Sequence, residues 1–142
     1  MNTKTLLSYF LWGACAFHVI VGLGLNVSPA FPQVMADAYG ATVNFTPAFL
    51  YIVKPVGAFM LAIGVMAGFA ARDPLGSKPV VYGLVVLFVM RGLQRIVFQE
   101  EIANAVGIAA SRNVSNAVFF VLLAVVLAVL YSRAKKGEST LT

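Results

Sequence analysis

The chain has 142 residues, 61% of them hydrophobic and 11% charged, with a formal net charge of +5 and one cysteine. Soluble domains run at about 45–50% apolar and about 25% charged, so this composition excludes an ordinary soluble fold and fits an integral membrane protein with room for about four spans. It also excludes an internal disulfide and a Cys-x-x-Cys redox pair, and the cations are too dispersed for a nucleic-acid-binding face, so no nucleic-acid partner is expected.

The first apolar stretch, Leu6–Leu25, reads as span one. It is longer than the apolar region of a signal peptide, and no small-x-small cleavage site follows it. Asn26, Ser28, Pro29 and Pro32 end it. The segment Ser28–Thr46 is polar-aromatic and too long for a tight turn, and a short interfacial helix is expected over Phe31–Tyr39.

Span two covers 47–70, with Pro47 suited to a first helical turn. Pro55 lies inside it, removes a backbone donor and should bend it, opening space beside Lys54. Arg72–Pro79 is a loop, and span three covers 80–98. Gln99–Asn113 is polar or small and reads as a helical extension or an interfacial segment. Span four covers 114–131, and the polar tail 132–142 is expected to be solvated. The fold class is therefore all-α: a single membrane domain over 1–142, built as a bundle of four transmembrane helices.

Lysine and arginine set the orientation. Lys4, Arg72, Lys78, Arg133, Lys135 and Lys136 flank one side, against Arg112 alone on the other, so both termini are expected in the cytoplasm. Asp37, Glu100 and Glu101 then fall outside.

Three cations lie inside the spans: Lys54, Arg91 and Arg95. A charge within hydrocarbon depth costs roughly 2.5–3.5 kcal/mol on insertion scales, so it commonly faces a partner, a cavity or a ligand. At a 1.5 Å rise per residue, these cations and His18 fall within about two turns of each other in depth, in the outer half of the bundle. His18 lies between Ala14 and Gly22 at i−4 and i+4, small residues that let helices approach. Gly57, Ala58, Gly64 and Gly68 give span two a similar small-residue face. Arg91 and Arg95 are spaced i, i+4 and share a polar stripe with Gln94 and Gln99. The expectation is a polar site of Arg91, Lys54 and His18, with Arg95 nearer the headgroups and Gln99, Glu100 or Glu101 closing it from outside. The competing reading is that the cations only snorkel to the headgroups or pair with Glu100, Glu101 or Asp37.

The run Lys54-Pro55-Val56-Gly57-Ala58-Phe59-Met60-Leu61-Ala62-Ile63-Gly64 is similar to the second helix of small bacterial four-helix membrane proteins of the DoxX-like and DUF4345-like kind. Gly83 to Arg95 resembles their third helix, with arginine near its outer end. The resemblance covers about half the chain and implies a four-helix fold in a bacterial inner membrane. The cysteine pair of related thiol-oxidoreductase bundles has no counterpart here.

Two functions follow as expectations. The first is binding of a lipid, quinone-like or anionic small molecule in an outer-leaflet pocket, by His18, Lys54, Arg91, Arg95, Gln94, Gln99, Glu100 and Glu101. The alternative is a non-catalytic accessory subunit of a larger membrane complex, or a homo-oligomer. No nucleophile or metal cluster accompanies His18, so catalysis by the isolated chain is not expected and the cofactor stays unknown. One histidine cannot supply both axial imidazoles of a b-type haem.

Overall fold

The computed structural model describes residues 2–139. Six helices follow one another: α1 (Thr3–Val27), α2 (Phe31–Tyr39), α3 (Pro47–Arg72), α4 (Lys78–Val97), α5 (Gln99–Val106) and α6 (Ala110–Ser139). Four of them, α1, α3, α4 and α6, are long and apolar enough to cross a membrane. The protein is an all-α integral membrane bundle, with α2 and α5 as short helices at one end.

Local chemistry explains the helix ends. Asn2 caps α1 by accepting from the Lys4 backbone N–H at 3.2 Å, and Thr46 caps α3 by accepting from that of Phe49 at 3.2 Å. Pro47 and Pro79 stand in the first turns of α3 and α4, where no donor is needed. Gly40 and Gly107 end α2 and α5 with φ of 70° and 66°, a left-handed conformation that a side chain would strain. The helix expected over Phe31–Tyr39 is α2, with those bounds. α3 continues as helix through Pro55.

Most spans run two or three residues beyond the sequence reading, with Arg72 ending α3 and Lys78 opening α4, and the largest differences are at α6. α6 begins at Ala110 rather than Val114, and it continues through the basic segment as far as Ser139 instead of ending at Tyr131. The tail has no proline, and Arg133, Ala134, Lys135 and Lys136 are good helix formers whose charge suits a helix C-terminus. Tail residues 140–142 lie outside the described residues. At this end Lys4 Nζ meets Glu138 Oε1 at 3.7 Å, so the beginning of α1 and the end of α6 share one end of the bundle.

The four long helices pack as two intimate pairs, α1 with α3 and α4 with α6. α1 also packs on α6, whereas α3 and α4 touch little despite their short connection. The α1–α3 contact is made by backbones. A Cβ at Gly22 would lie 2.7 Å from the Gly57 carbonyl oxygen, and one at Gly64 would lie 3.0 Å from the Val19 nitrogen. Small residues are what allow such approach where no water drives helices together.

The dry core fills only half the bundle's length. Leu7 and Leu11 of α1, Ala67, Ala70 and Ala71 of α3, Val81, Leu84 and Phe88 of α4, and Phe120, Ala124, Leu127 and Tyr131 of α6 form it. These positions lie toward the end that holds the termini and the α3–α4 connection. At the opposite end, α2, the segment 40–46 and α5 lie over the helix ends, and the packing there is not closed.

Candidate functional site: two arginines beneath a helical cap

Beneath α2 lies an open cavity of about 330 Å³. Its wall is largely apolar: Leu25 of α1, Met35, Ala36 and Tyr39 of α2, Phe45 of the following segment, Phe49 and Val53 of α3, and Val106 and Ile108 around the α5–α6 turn. The charged groups on the wall are Arg91 and Arg95 of α4. A second cavity of about 240 Å³ adjoins them on the side of Gln94 and Ile102, so the two guanidiniums stand between both spaces.

The arginines are held differently. Arg95 Nη1 donates to Asn113 Oδ1 at 2.9 Å, and Asn113 Nδ2 donates back to the Arg95 carbonyl at 2.6 Å. Asn113 is 1% exposed, so this reciprocal pair satisfies an otherwise costly buried amide. The Arg95 guanidinium also lies 4.9 Å from the Tyr39 ring centroid and 5.8 Å from that of Phe120. Arg91 lies over Phe120, 4.8 Å from its centroid. Among the described residues, no acceptor is hydrogen-bonded to the Arg91 guanidinium, and no carboxylate lies within ion-pair distance of either arginine.

α2 is fastened over the site by its C-terminal carbonyls. Arg112 Nη2 donates to the Ala38 carbonyl at 3.1 Å and Asn116 Nδ2 to that of Tyr39 at 3.3 Å. Tyr39 stacks on Phe120 with the ring planes 18° apart. The Thr42 N–H donates to the Val106 carbonyl at 2.7 Å, tying the segment after α2 to the end of α5. Orphan carbonyls at a helix end attract donors and positive charge, and α6 supplies both.

His18 is 3% exposed and sits where the dry core gives way to the cavity. Its Nδ1 lies 2.7 Å from the Ala14 carbonyl oxygen, so that nitrogen carries the proton and donates. The ring lies edge-on to Phe17 and 6.4 Å from the Phe88 centroid, and Arg91 is within Coulombic reach of it. His18 does not line either cavity.

Of the expected site residues, the structure gathers Arg91, Arg95 and Gln94 at the cavities and places His18 next to them. It does not bring Lys54 there. Lys54 is exposed on α3: Phe49 and Val53, spaced i, i+4, are the side chains that α3 turns to the cavity, and Lys54 is about 100° round the helix from Val53. Gln99 is half-buried but off the cavity walls, and Glu100 and Glu101 are exposed on α5 without an ion pair among the described residues. Closure from that end comes from α2 and the segment after it. Asn113, Asn116, Arg112, Tyr39 and Phe120 were missed by sequence reasoning. The Arg112-Asn113-x-x-Asn116 cluster opening the fourth span was the available signal: polar groups at i, i+1 and i+4 at a helix start.

No family model, no curated protein and no solved structure matches the chain.

Proposed function

We propose that this integral membrane protein binds a small amphipathic molecule, a lipid or a quinone-like or anionic compound, in the cavity beneath α2, with its polar end on Arg91 and Arg95. The observation that carries the reading is the placement of two guanidiniums, without a carboxylate partner among the described residues, on the wall of a largely apolar cavity. Charged side chains at membrane depth mark pathways and ligand sites, and ligand sites are commonly apolar with a few fixed polar groups. The Lys and Arg asymmetry supports both termini in the cytoplasm, which puts the cavity in the outer leaflet. The resemblance to DoxX-like bundles supports a bacterial inner membrane.

Extraction in a mild detergent, followed by mass spectrometry of co-purifying small molecules, tests this. A stoichiometric lipid or quinone in the wild type, lost from the Arg91→Leu, Arg95→Leu double variant, is the expected result. A larger stoichiometric protein assembly that carries no such molecule in this chain would replace the reading with the accessory-subunit function.

A further inference from the structure

We propose that the cavity's occupant is a single-chain amphiphile with an oxyanion head, a fatty carboxylate or an alkyl phosphate, and that Arg91 is the residue that binds its head group. This deepens the reading above and rests on the cavity holding a ligand.

The two arginines divide the work. Arg95 is committed: Asn113 takes one of its donors, and the Tyr39 and Phe120 rings lie close to its guanidinium. The Arg91 guanidinium carbon lies over the Phe120 ring, and no protein acceptor among the described residues engages its N–H groups. Its N–H donors are therefore unspent, and their fork matches the paired oxygens of a carboxylate or phosphate.

Charge selects an anion over a neutral carbonyl. Arg91 and Arg95 are one helical turn apart on α4 and bear the same sign, an arrangement that destabilises a helix by itself. Low-dielectric surroundings enlarge the repulsion. A quinone oxygen could accept a hydrogen bond, but it would leave the charge uncompensated, and an oxyanion offsets it.

Size and access select a single chain. At about 330 Å³ the cavity lies at the small end of ligand sites. Phe49 and Val53 of α3 face it across from Arg91 of α4, and α3 and α4 pack little against each other. An apolar chain longer than the cavity can leave between those two helices into the bilayer, which a soluble anion would not need.

The full-length protein in dodecyl maltoside, probed by native mass spectrometry with laurate, dodecyl phosphate, dodecanol and decylubiquinone, tests the proposal. Laurate and dodecyl phosphate should bind one per chain and dodecanol should not, since it differs only in the head. Excess inorganic phosphate should leave laurate in place. Arg91→Leu should lower laurate affinity by about tenfold or more, as expected for a lost charged hydrogen-bond pair, while retaining the wild-type melting temperature, and Arg91→Lys should restore part of it. Laurate binding that is unchanged in Arg91→Leu overturns the assignment to Arg91. Full displacement by inorganic phosphate overturns the amphiphile. Binding of decylubiquinone without laurate overturns the oxyanion but leaves the broader ligand reading intact. If none of the four probes binds, the cavity reading itself falls.

Discussion

Asn113 does what its neighbours in the sequence do not announce. Its amide closes a two-way bond with Arg95 and holds that guanidinium beside Tyr39. Asn113→Ala leaves a charged donor and the Arg95 carbonyl without partners, so stability should fall by about 1.5–3 kcal/mol, read as a lower melting temperature in detergent. Asn113→Asp keeps the acceptor, adds a charge pair and removes the donor, and should cost less. Glycines differ in the same residue-specific way. Gly57→Val drives a side chain into Leu25 and Asn26 of α1 and should cost about 1–3 kcal/mol. At Gly83 a Cβ meets nothing within 4 Å, so Gly83→Ala should be neutral or stabilise by up to about 1 kcal/mol through helix propensity. Unfolding of the two variants side by side measures the contrast.

At the scale of elements, α2 depends most on its anchors. It is nine residues long, too short to be stable as an isolated helix, and it owes its place to packing on α1 and to bonds and a ring stack with α6 at its C-terminal end. Phe31 packs so closely on Gly24 that a Cβ there would lie 2.5 Å from the ring, which anchors the start of α2. Arg112 and Asn116 anchor its end. The Arg112→Ala, Asn116→Ala double variant should therefore speed backbone hydrogen exchange across residues 31–43 by roughly tenfold per ~1.4 kcal/mol of lost anchoring, with α1 and α6 unchanged. Uniform acceleration throughout the bundle would instead mean that these bonds hold the whole molecule together.

The whole molecule is asymmetric along its length. One half is a close-packed core of small and branched residues, and the other half keeps two open cavities beside arginine. That asymmetry gives the orientation functional weight. With Cys15→Ala as background, Ser77→Cys should react only with thiol reagents that reach the cytoplasm, and Thr42→Cys should react with impermeant reagents added outside. The opposite pattern would place the cavity in the inner leaflet.

Much of the fold was legible because it follows from local chemistry. Twenty-residue apolar runs have to be helices in a bilayer, where the backbone must satisfy itself, and Pro47, Gly40 and the proline-rich break after span one punctuate them. The Gly57, Gly64 and Gly68 face was readable from spacing for the same reason, as was the i, i+4 pairing of Arg91 with Arg95. What the sequence by itself determined is therefore the four spans, the short helix after the first of them, and the presence of arginine deep in α4. Only the tertiary structure decided which charges meet. Lys54 and Arg91 have similar depth, yet the face of α3 that lines the cavity is the one carrying Phe49 and Val53, and Lys54, the next position round the helix from Val53, is exposed and off that wall. Tyr39 and Asn113 reach Arg95 from segments 56 and 18 residues away along the chain, because α2 folds back onto α6. Depth is a property of one helix and its sequence, whereas azimuth and cross-helix partners depend on how all four pack together.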